Sequence, residues 1–414
     1  MRRPPRARFL ALMVFTAASA VAVAACGGGA TGTSAGSPVT VGISVPLTGQ
    51  FSTDGLACEK GAQLWASDVN AAGGLLGHPV QLKFLNDNSD PNRAAKDYAQ
   101  LIGTDHVNFV LGPFSSLLTT ASGPVVARYG YAFVEGSGGG LSVFALKEHN
   151  LFGVTTPVVN QMVPFADWVK SLPFSQRPKT AAYPMVDDPF ADPPVKTAQA
   201  ILEGAGIKTV YQHAPINPAT NLTPFANQVA QSQAQIVVLG SVDVPTVLAF
   251  VRAFEAAHYT PKMFLAASGP DQGLAFTNVV GPGNANGMMV PNGWSGGFAN
   301  AESHQMVQNY IAKYGGTASQ VNTDTAETYS AGQVLADAIN ATSSLDQAKI
   351  IAYLHSGVTV QSVQGPAKFD DVGHNLAAQA FIYQWQNSRF VQVLPSNVPG
   401  SSQILATKTP WLTG

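Results

Sequence analysis

The chain has 414 residues, 46% hydrophobic and only 11% charged, with a formal net charge of −2. That length suits two or more lobes. The lack of any basic run or basic excess argues against nucleic acid as a partner, and two cysteines are too few for a disulfide-stapled fold.

The first 25 residues read as an address. Arg2, Arg3, Arg6 and Arg8 precede the apolar run Phe9–Ala25, which is the pattern of a secretory signal peptide. The run is short for a membrane span and ends in Val23-Ala24-Ala25-Cys26, followed by three glycines. This junction resembles the bacterial lipobox, where the signal is cut before a cysteine that then carries the lipid. The expectation is a signal peptide over 1–25, a lipidated Cys26 and a flexible tether over 26–38. From its composition, the tether Gly27–Pro38 has a root-mean-square reach of about 20 Å. Cleavage leaves 18 basic against 24 acidic residues, a net charge of −6. Cys58 is then the remaining cysteine of the body, at helical spacing among Leu56, Ala57 and Ala62, and reads as a buried packing residue.

Strand and helix then alternate. Val39–Val45 is a strand closed by Pro46-Leu47-Thr48-Gly49, and Leu56–Ala72 has one apolar helical face, stopped by Gly73-Gly74. Val80–Leu85 is a second strand, and Asp90-Pro91 opens a helix with an N-cap and a first-turn proline. Val107–Gly140 forms a β-loop-α-β unit whose two strands end in Gly-Pro-Phe-Ser-Ser and Glu-Gly-Ser-Gly-Gly-Gly. In open α/β sheets ligands sit outside the carboxyl ends of strands, so these two loops mark a candidate site.

A second alternating series begins after Thr155-Thr156-Pro157. Strands are expected at Lys179–Met185, Thr209–His213, Ile236–Gly240, Lys262–Ala266 and Gly287–Pro291. Helices follow at about Ala301–Tyr314, Thr325–Ala341 and Ala348–His355. Two late strands, Gly365–Phe369 and Ala380–Gln386, close the body, and Asn387–Gly414 reads as a loose tail. Such alternation argues for mostly parallel sheets covered on both faces.

VGISVPLTGQFSTDG, DVNAAGGLLGHPV, NDNSDPNRA, VLGPFSS, VTTPVVNQ, AQIVVLGSVDVP, GMMVPNGW, QGPAKFDDVG and FIYQW occur in that order across Val39–Gln392. The ordered set resembles the leucine/isoleucine/valine-type substrate-binding proteins of ABC importers, in the type I periplasmic-binding-protein class. The resemblance implies an α/β fold of two Rossmann-like lobes joined by three crossovers, near Thr155, Val290 and residue 345. The lobes are then 39–155 with 290–345, and 156–289 with 346–396, leaving 397–414 as a C-terminal tail.

The resemblance also implies a site. Its first-lobe half, which holds an amino acid's carboxylate in the family, falls on Ser115, Ser116, Ser137, Gly138 and Gly139. Hydroxyls and backbone amides at a helix start and in a glycine nest suit an anion; the plain alternative is helix caps and a turn. Gly139 stands where the family has a threonine. The second-lobe half falls on Phe190, on Val242 and Asp243 in place of a tyrosine, and on Ser268 in place of the acid that pairs with a ligand's ammonium. An unpaired buried ammonium is costly. Either Asp243 or Asp271 substitutes for that acid, or the solute is a small carboxylate, amide or aromatic acid. Trp294 is either a cleft wall or packing between lobes.

The implied protein is an exported, lipid-anchored, monomeric solute receptor that delivers its small-molecule ligand to an ABC permease in the membrane. A sensor lipoprotein presenting ligand to a receptor would share the fold. A rival is a serine hydrolase: Gly293-Trp294-Ser295-Gly296-Gly297 fits G-x-S-x-G, with Asp370 or Asp371 and His374 downstream. Against it, Gly296-Gly297 is a poor first helical turn, and Asp371 and His374 share one short loop. The eight histidines show no H-x-x-x-H spacing and no Walker-type motif occurs, so neither a metal nor another cofactor is expected.

Overall fold

The computed structural model describes residues 36–412. The signal peptide, Cys26 and nearly all of the tether lie outside the described residues.

Two sheets organise the body. The first contains β1 (Val39–Val45), β2 (Val80–Asn86), β3 (Phe109–Leu111), β4 (Phe133–Glu135) and β5 (Leu151–Gly153), in the order β2-β1-β3-β4-β5. All of its pairings are parallel. Its central strands are buried on both faces, which is why they are short apolar runs. The Pro91–Gly103 helix starts as its sequence implies, with Asp90 accepting from the Arg93 amide at 2.8 Å.

The second series supplies β6 (Thr180–Tyr183), β7 (Lys208–Gln212), β8 (Ile236–Leu239), β9 (Met263–Ala266) and β10 (Met288–Asn292). Beyond it lie a hairpin of β11 (Val360–Ser362) and β12 (Gly365–Ala367), then β13 (Phe381–Gln386) and β14 (Arg389–Leu394). The second sheet runs β14-β13-β10-β9-β8-β6-β7. Its members from β7 to β10 are parallel, whereas β13 and β14 are antiparallel additions at one edge.

A helix pair backs the first sheet. Ser52–Ala71 packs on Thr323–Thr342 so closely that glycine is required at the contact. A Cβ on Gly61 would lie 2.2 Å from the Thr325 carbonyl oxygen, and one on Gly332 would lie 2.4 Å from the Trp65 ring. This approach brings the carboxylates at the starts of the two helices together.

Two expectations are corrected. The chain does not leave the first lobe near residue 345. Gln347 Nε2 donates to the Asn108 carbonyl at 2.7 Å, the Ala132 amide donates to Gln347 Oε1 at 2.8 Å, and the Gly153 amide donates to the Gly373 carbonyl at 2.9 Å. Phe369 also packs on Phe152 with ring centroids 5.2 Å apart. Residues from 346 to about 378 therefore stay with the first sheet, because the Gln347 amide satisfies backbone groups beside β3 and β4. The third crossover is at Gln379, whose carbonyl accepts from Thr156 Oγ1 at 3.0 Å.

The tail after Asn387 is not loose. β14 extends the second sheet, and the chain beyond it packs back on that lobe: Gln384 Nε2 donates to the Leu405 carbonyl at 2.9 Å, and Trp411 Nε1 to the Tyr259 carbonyl at 2.7 Å. Buried Trp411 needs both an apolar bed and an acceptor for its N–H, and finds them there.

Candidate functional site

Read from β2 to β5 and from β7 to β10, the two sheets have the same strand order, each reversing direction beside its first strand. Ligands bind at such switch points. The carboxyl ends of both sheets line one cavity, at the kind of interlobe position where small-molecule sites form. Phe114 and Ser115 follow β3, Ser137 follows β4 and Thr155 follows β5; Phe190 follows β6 and Val242 follows β8. Ala267, Ser268 and Asp271 follow β9, while Pro291 and Asn292 end β10. Gln161, Asp324 and Glu327 complete the wall from helices.

The two serines of the first loop part company. Ser116 is buried away from the cavity and its Oγ accepts from the Gly140 amide at 2.9 Å, tying the first loop to the second. Ser115 holds the N-cap position but makes no cap bond; its hydroxyl is unpartnered, only 2% exposed, and lines the cavity.

The glycine loop is already occupied by an anion of the protein itself. Glu135 Oε1 accepts from the Ser137 amide at 2.7 Å and the Gly138 amide at 2.9 Å, and Oε2 accepts from Thr119 Oγ1 at 2.5 Å. Burial nevertheless raises the Glu135 pKa to about 7, against the lowering effect of these donors. Gly138 and Gly139 do not line the cavity. Gly139 packs against Thr155 and its carbonyl accepts from the Val158 amide.

On the second lobe, Asp271, one of the two acids the sequence offered in place of the one missing at Ser268, lines the cavity beside Ser268, whereas Asp243 does not. Ser268 Oγ points to Asp271 Oδ1 at 3.4 Å, and the Gly269 amide donates to the same oxygen at 2.9 Å. Asn292 Nδ2 donates to Asp271 Oδ2 at 2.8 Å and Thr323 Oγ1 does so at 3.3 Å, so the carboxylate bridges the lobes. Burial raises its pKa despite those bonds.

Asp324 and Glu327 were missed by the sequence reading. They lie three residues apart on the Thr323–Thr342 helix and share one face. That helix is buried over most of its circumference, so no polar-outward stripe distinguishes the cavity face. Asp324 is pushed well up by burial first, then by the charges of Asp54 and Asp271; Glu327 is raised by burial, then by Asp324. Neither oxygen of buried Asp54 has a donor, and burial raises the Asp54 pKa well above the usual carboxylate range.

Three lining carboxylates thus face a cavity with no Lys, Arg or His in its wall. Among the described residues the ion pairs are Lys83–Asp105, Lys196–Asp192 and His374–Asp370, and none reaches the cleft.

Other candidates fall elsewhere. Asp243 caps the Val244–Ala256 helix through the Thr246 amide at 2.8 Å, and its other oxygen accepts from Gln50 Nε2 of the first lobe at 2.8 Å. It fastens the lobes instead of lining the cavity. Trp294 is fully buried, with Nε1 donating to Ser303 Oγ at 2.8 Å, and is packing. Ser295 Oγ accepts from the Gly297 amide at 3.3 Å, and the next helix begins only at Ala301. His374 pairs with Asp370 at 3.0 Å inside one loop and packs tilted against Phe144, with ring centroids 4.0 Å apart. Neither partner of His374 is Ser295, so the elements of the hydrolase motif do not form a triad.

A family model described as periplasmic binding protein matches residues 38–389. The Leu/Ile/Val-binding protein homolog 3 of Brucella melitensis is 23% identical over 357 residues, spanning 85% of this chain and 93% of that protein. An amino acid binding protein of Pseudomonas aeruginosa is 23% identical over 86% of this chain and 92% of its own length. Among solved structures, a branched-chain amino acid transporter substrate binding protein from Streptococcus pneumoniae, in complex with isoleucine, superposes with a TM-score of 0.74. It has 18% identity and covers 86% of this chain and 99% of its own. A solute binding protein of an ABC transporter from R. palustris, in complex with benzoate, superposes with a TM-score of 0.72. It has 16% identity and covers 90% of this chain and 100% of its own.

Proposed function

The chain belongs to the periplasmic binding protein family, and on that premise we propose that it is the extracytoplasmic solute-binding component of an ABC importer. The observation that carries this reading is a cavity walled by the carboxyl ends of both sheets. Phe114, Ser115 and Glu327 belong to one lobe and Phe190, Ser268 and Asp271 to the other, so a solute between them holds the lobes together. Closure is a rotation about three strands of chain that run side by side at Thr156, Gly293 and Gln379. The first lobe then comprises residues 39–155 and 293–378, the second the remainder to 412. In this reading a signal peptide exports the chain, lipid on Cys26 anchors it at the outer face of the cytoplasmic membrane, and a permease receives the solute.

The similar proteins differ in what they hold: isoleucine in one complex, benzoate in another. The cleft here favours a solute bearing an amino group over an aromatic acid, because Asp271 supplies an acid to face an ammonium and no wall residue supplies a cation. A thermal-shift screen over amines, amino acids, aromatic acids and amides tests the reading, since a bound solute raises the melting temperature by mass action. A hit accompanied by compaction in small-angle scattering supports it. No shift from any class contradicts it.

A further inference from the structure

Resting on the cleft as the solute site, we propose that the solute is a small primary amine that lacks a carboxylate, with its ammonium against Asp271, Asp324 and Glu327 and an apolar body beside Phe114 and Phe190. Three independent features support this class.

First, the glycine-loop amides that could hold an anion beside the cavity are taken. The Ser137 and Gly138 amides are bound to Glu135 Oε1, and a second carboxylate there would meet Glu135 and Glu327 without a countercharge. Second, the cavity wall is rich in buried acids and holds no base. Asp271, Asp324 and Glu327 line it, Asp54 and Glu135 stand behind them, and Asp188 and Asp243 approach from the second lobe. No basic side chain answers any of them among the described ion pairs.

Third, the unpartnered buried atoms at the cavity call for donors. Gln161 Oε1 can only accept, and Asp324 Oδ2 and the Ser115 hydroxyl can accept; all three side chains are at least nine-tenths buried. A primary ammonium brings three N–H donors and one positive charge, which matches acceptors better than an amide or acid does. Among the described residues no three His, Cys, Asp or Glu side chains converge as metal ligands. Phe114, Phe190, Val242, Ala267 and Pro291 provide the apolar surface for its body, and an aromatic face adds attraction for a cation.

Matched skeletons test the proposal on the full chain: phenethylamine, phenylalanine and 3-phenylpropanoate, and isopentylamine, leucine and 4-methylpentanoate, by thermal shift and calorimetry at pH 7.5. At least one amine is expected to bind about tenfold or more tightly than both its amino acid and its acid, a gap of about 1.4 kcal/mol. Asp271→Asn and, separately, Glu327→Gln are expected to weaken that amine about tenfold or more in variants that still unfold cooperatively. If an amino acid or acid binds as well as its amine, or if neither amine binds, the amine proposal is overturned. In the first case the solute-binding reading stands. If the wider screen also yields no ligand of any class, that reading falls as well.

Discussion

Glu135 accepts the backbone amide of Ser137 at 2.7 Å, and the same oxygen takes the Gly138 amide at 2.9 Å. The nest thus carries its own anion, and removing that anion should change what the protein selects. Glu135→Ala frees both amides, and affinity for carboxylate-bearing solutes such as leucine or benzoate should rise about tenfold or more, the scale of charge-assisted hydrogen bonds. Glu135→Gln keeps an acceptor on the amides and should show no such gain. Calorimetric titration of both variants decides the matter; equal behaviour of the two would show that Glu135 does not block the nest.

The buried acids set a pH dependence whose sign is fixed. Ordinary carboxylates titrate near 4, whereas Glu135 is raised to about 7 and Asp188 to about 6. The folded state therefore binds more protons than the unfolded state between about pH 4 and 7. Stability is greatest at the acid end of that window and falls as pH rises through the folded values. For Glu135 alone the loss is on the order of 3 kcal/mol, at about 1.4 kcal/mol per unit. Apo protein should melt at higher temperature at pH 5 than at pH 8. Asp54→Asn, which removes a buried acid without a donor, should make that decline shallower. A melting temperature that rises from pH 5 to pH 8 would contradict this account.

The Ser52–Ala71 and Thr323–Thr342 helices hold Asp54, Asp324 and Glu327 in register. Because a Cβ on Gly61 would lie 2.2 Å from the Thr325 carbonyl oxygen, Gly61→Ala must push the helices apart. Denaturant unfolding should show a loss of about 1–3 kcal/mol, as for overpacking elsewhere. Solute affinity should fall with it, because Asp324 moves with the backbone.

Much of the fold was legible because parallel strands buried on both faces are bound to be apolar runs, as in Val39–Val45 and Ile236–Leu239. Capping chemistry placed the start of the Pro91–Gly103 helix. The third crossover was not legible, since nothing local in Asp346–Ser356 tells which lobe its helix covers; the Gln347 contacts with Asn108 and Ala132 span more than 200 residues of sequence. Of the site, Ser115, Ser137, Phe190, Val242, Ser268 and Asp271 line the cavity, whereas Ser116 and Asp243 turn to hold loops and lobes. Asp324 and Glu327 escaped notice because charged residues on a helix ordinarily face water, and only packing on the Ser52–Ala71 helix turns them inward.

The closing segment of the chain should stabilise the second lobe without touching the cleft. Trp411 gives its N–H to the Tyr259 carbonyl, and Lys408 Nζ lies 3.5 Å over its ring. Trp411→Ala should cost about 3 kcal/mol by denaturant unfolding, as for a large buried aromatic, with solute affinity unchanged by calorimetry.

The central claim is that the solute is held in the interlobe cavity by its carboxylates. Its most direct test is calorimetric titration of wild type and the Asp271→Asn, Glu327→Gln double variant with whichever amine most stabilises the wild type. The account predicts at least about a hundredfold loss of affinity, about 2.7 kcal/mol, in a double variant that still unfolds cooperatively. Unchanged affinity in a folded double variant would contradict it.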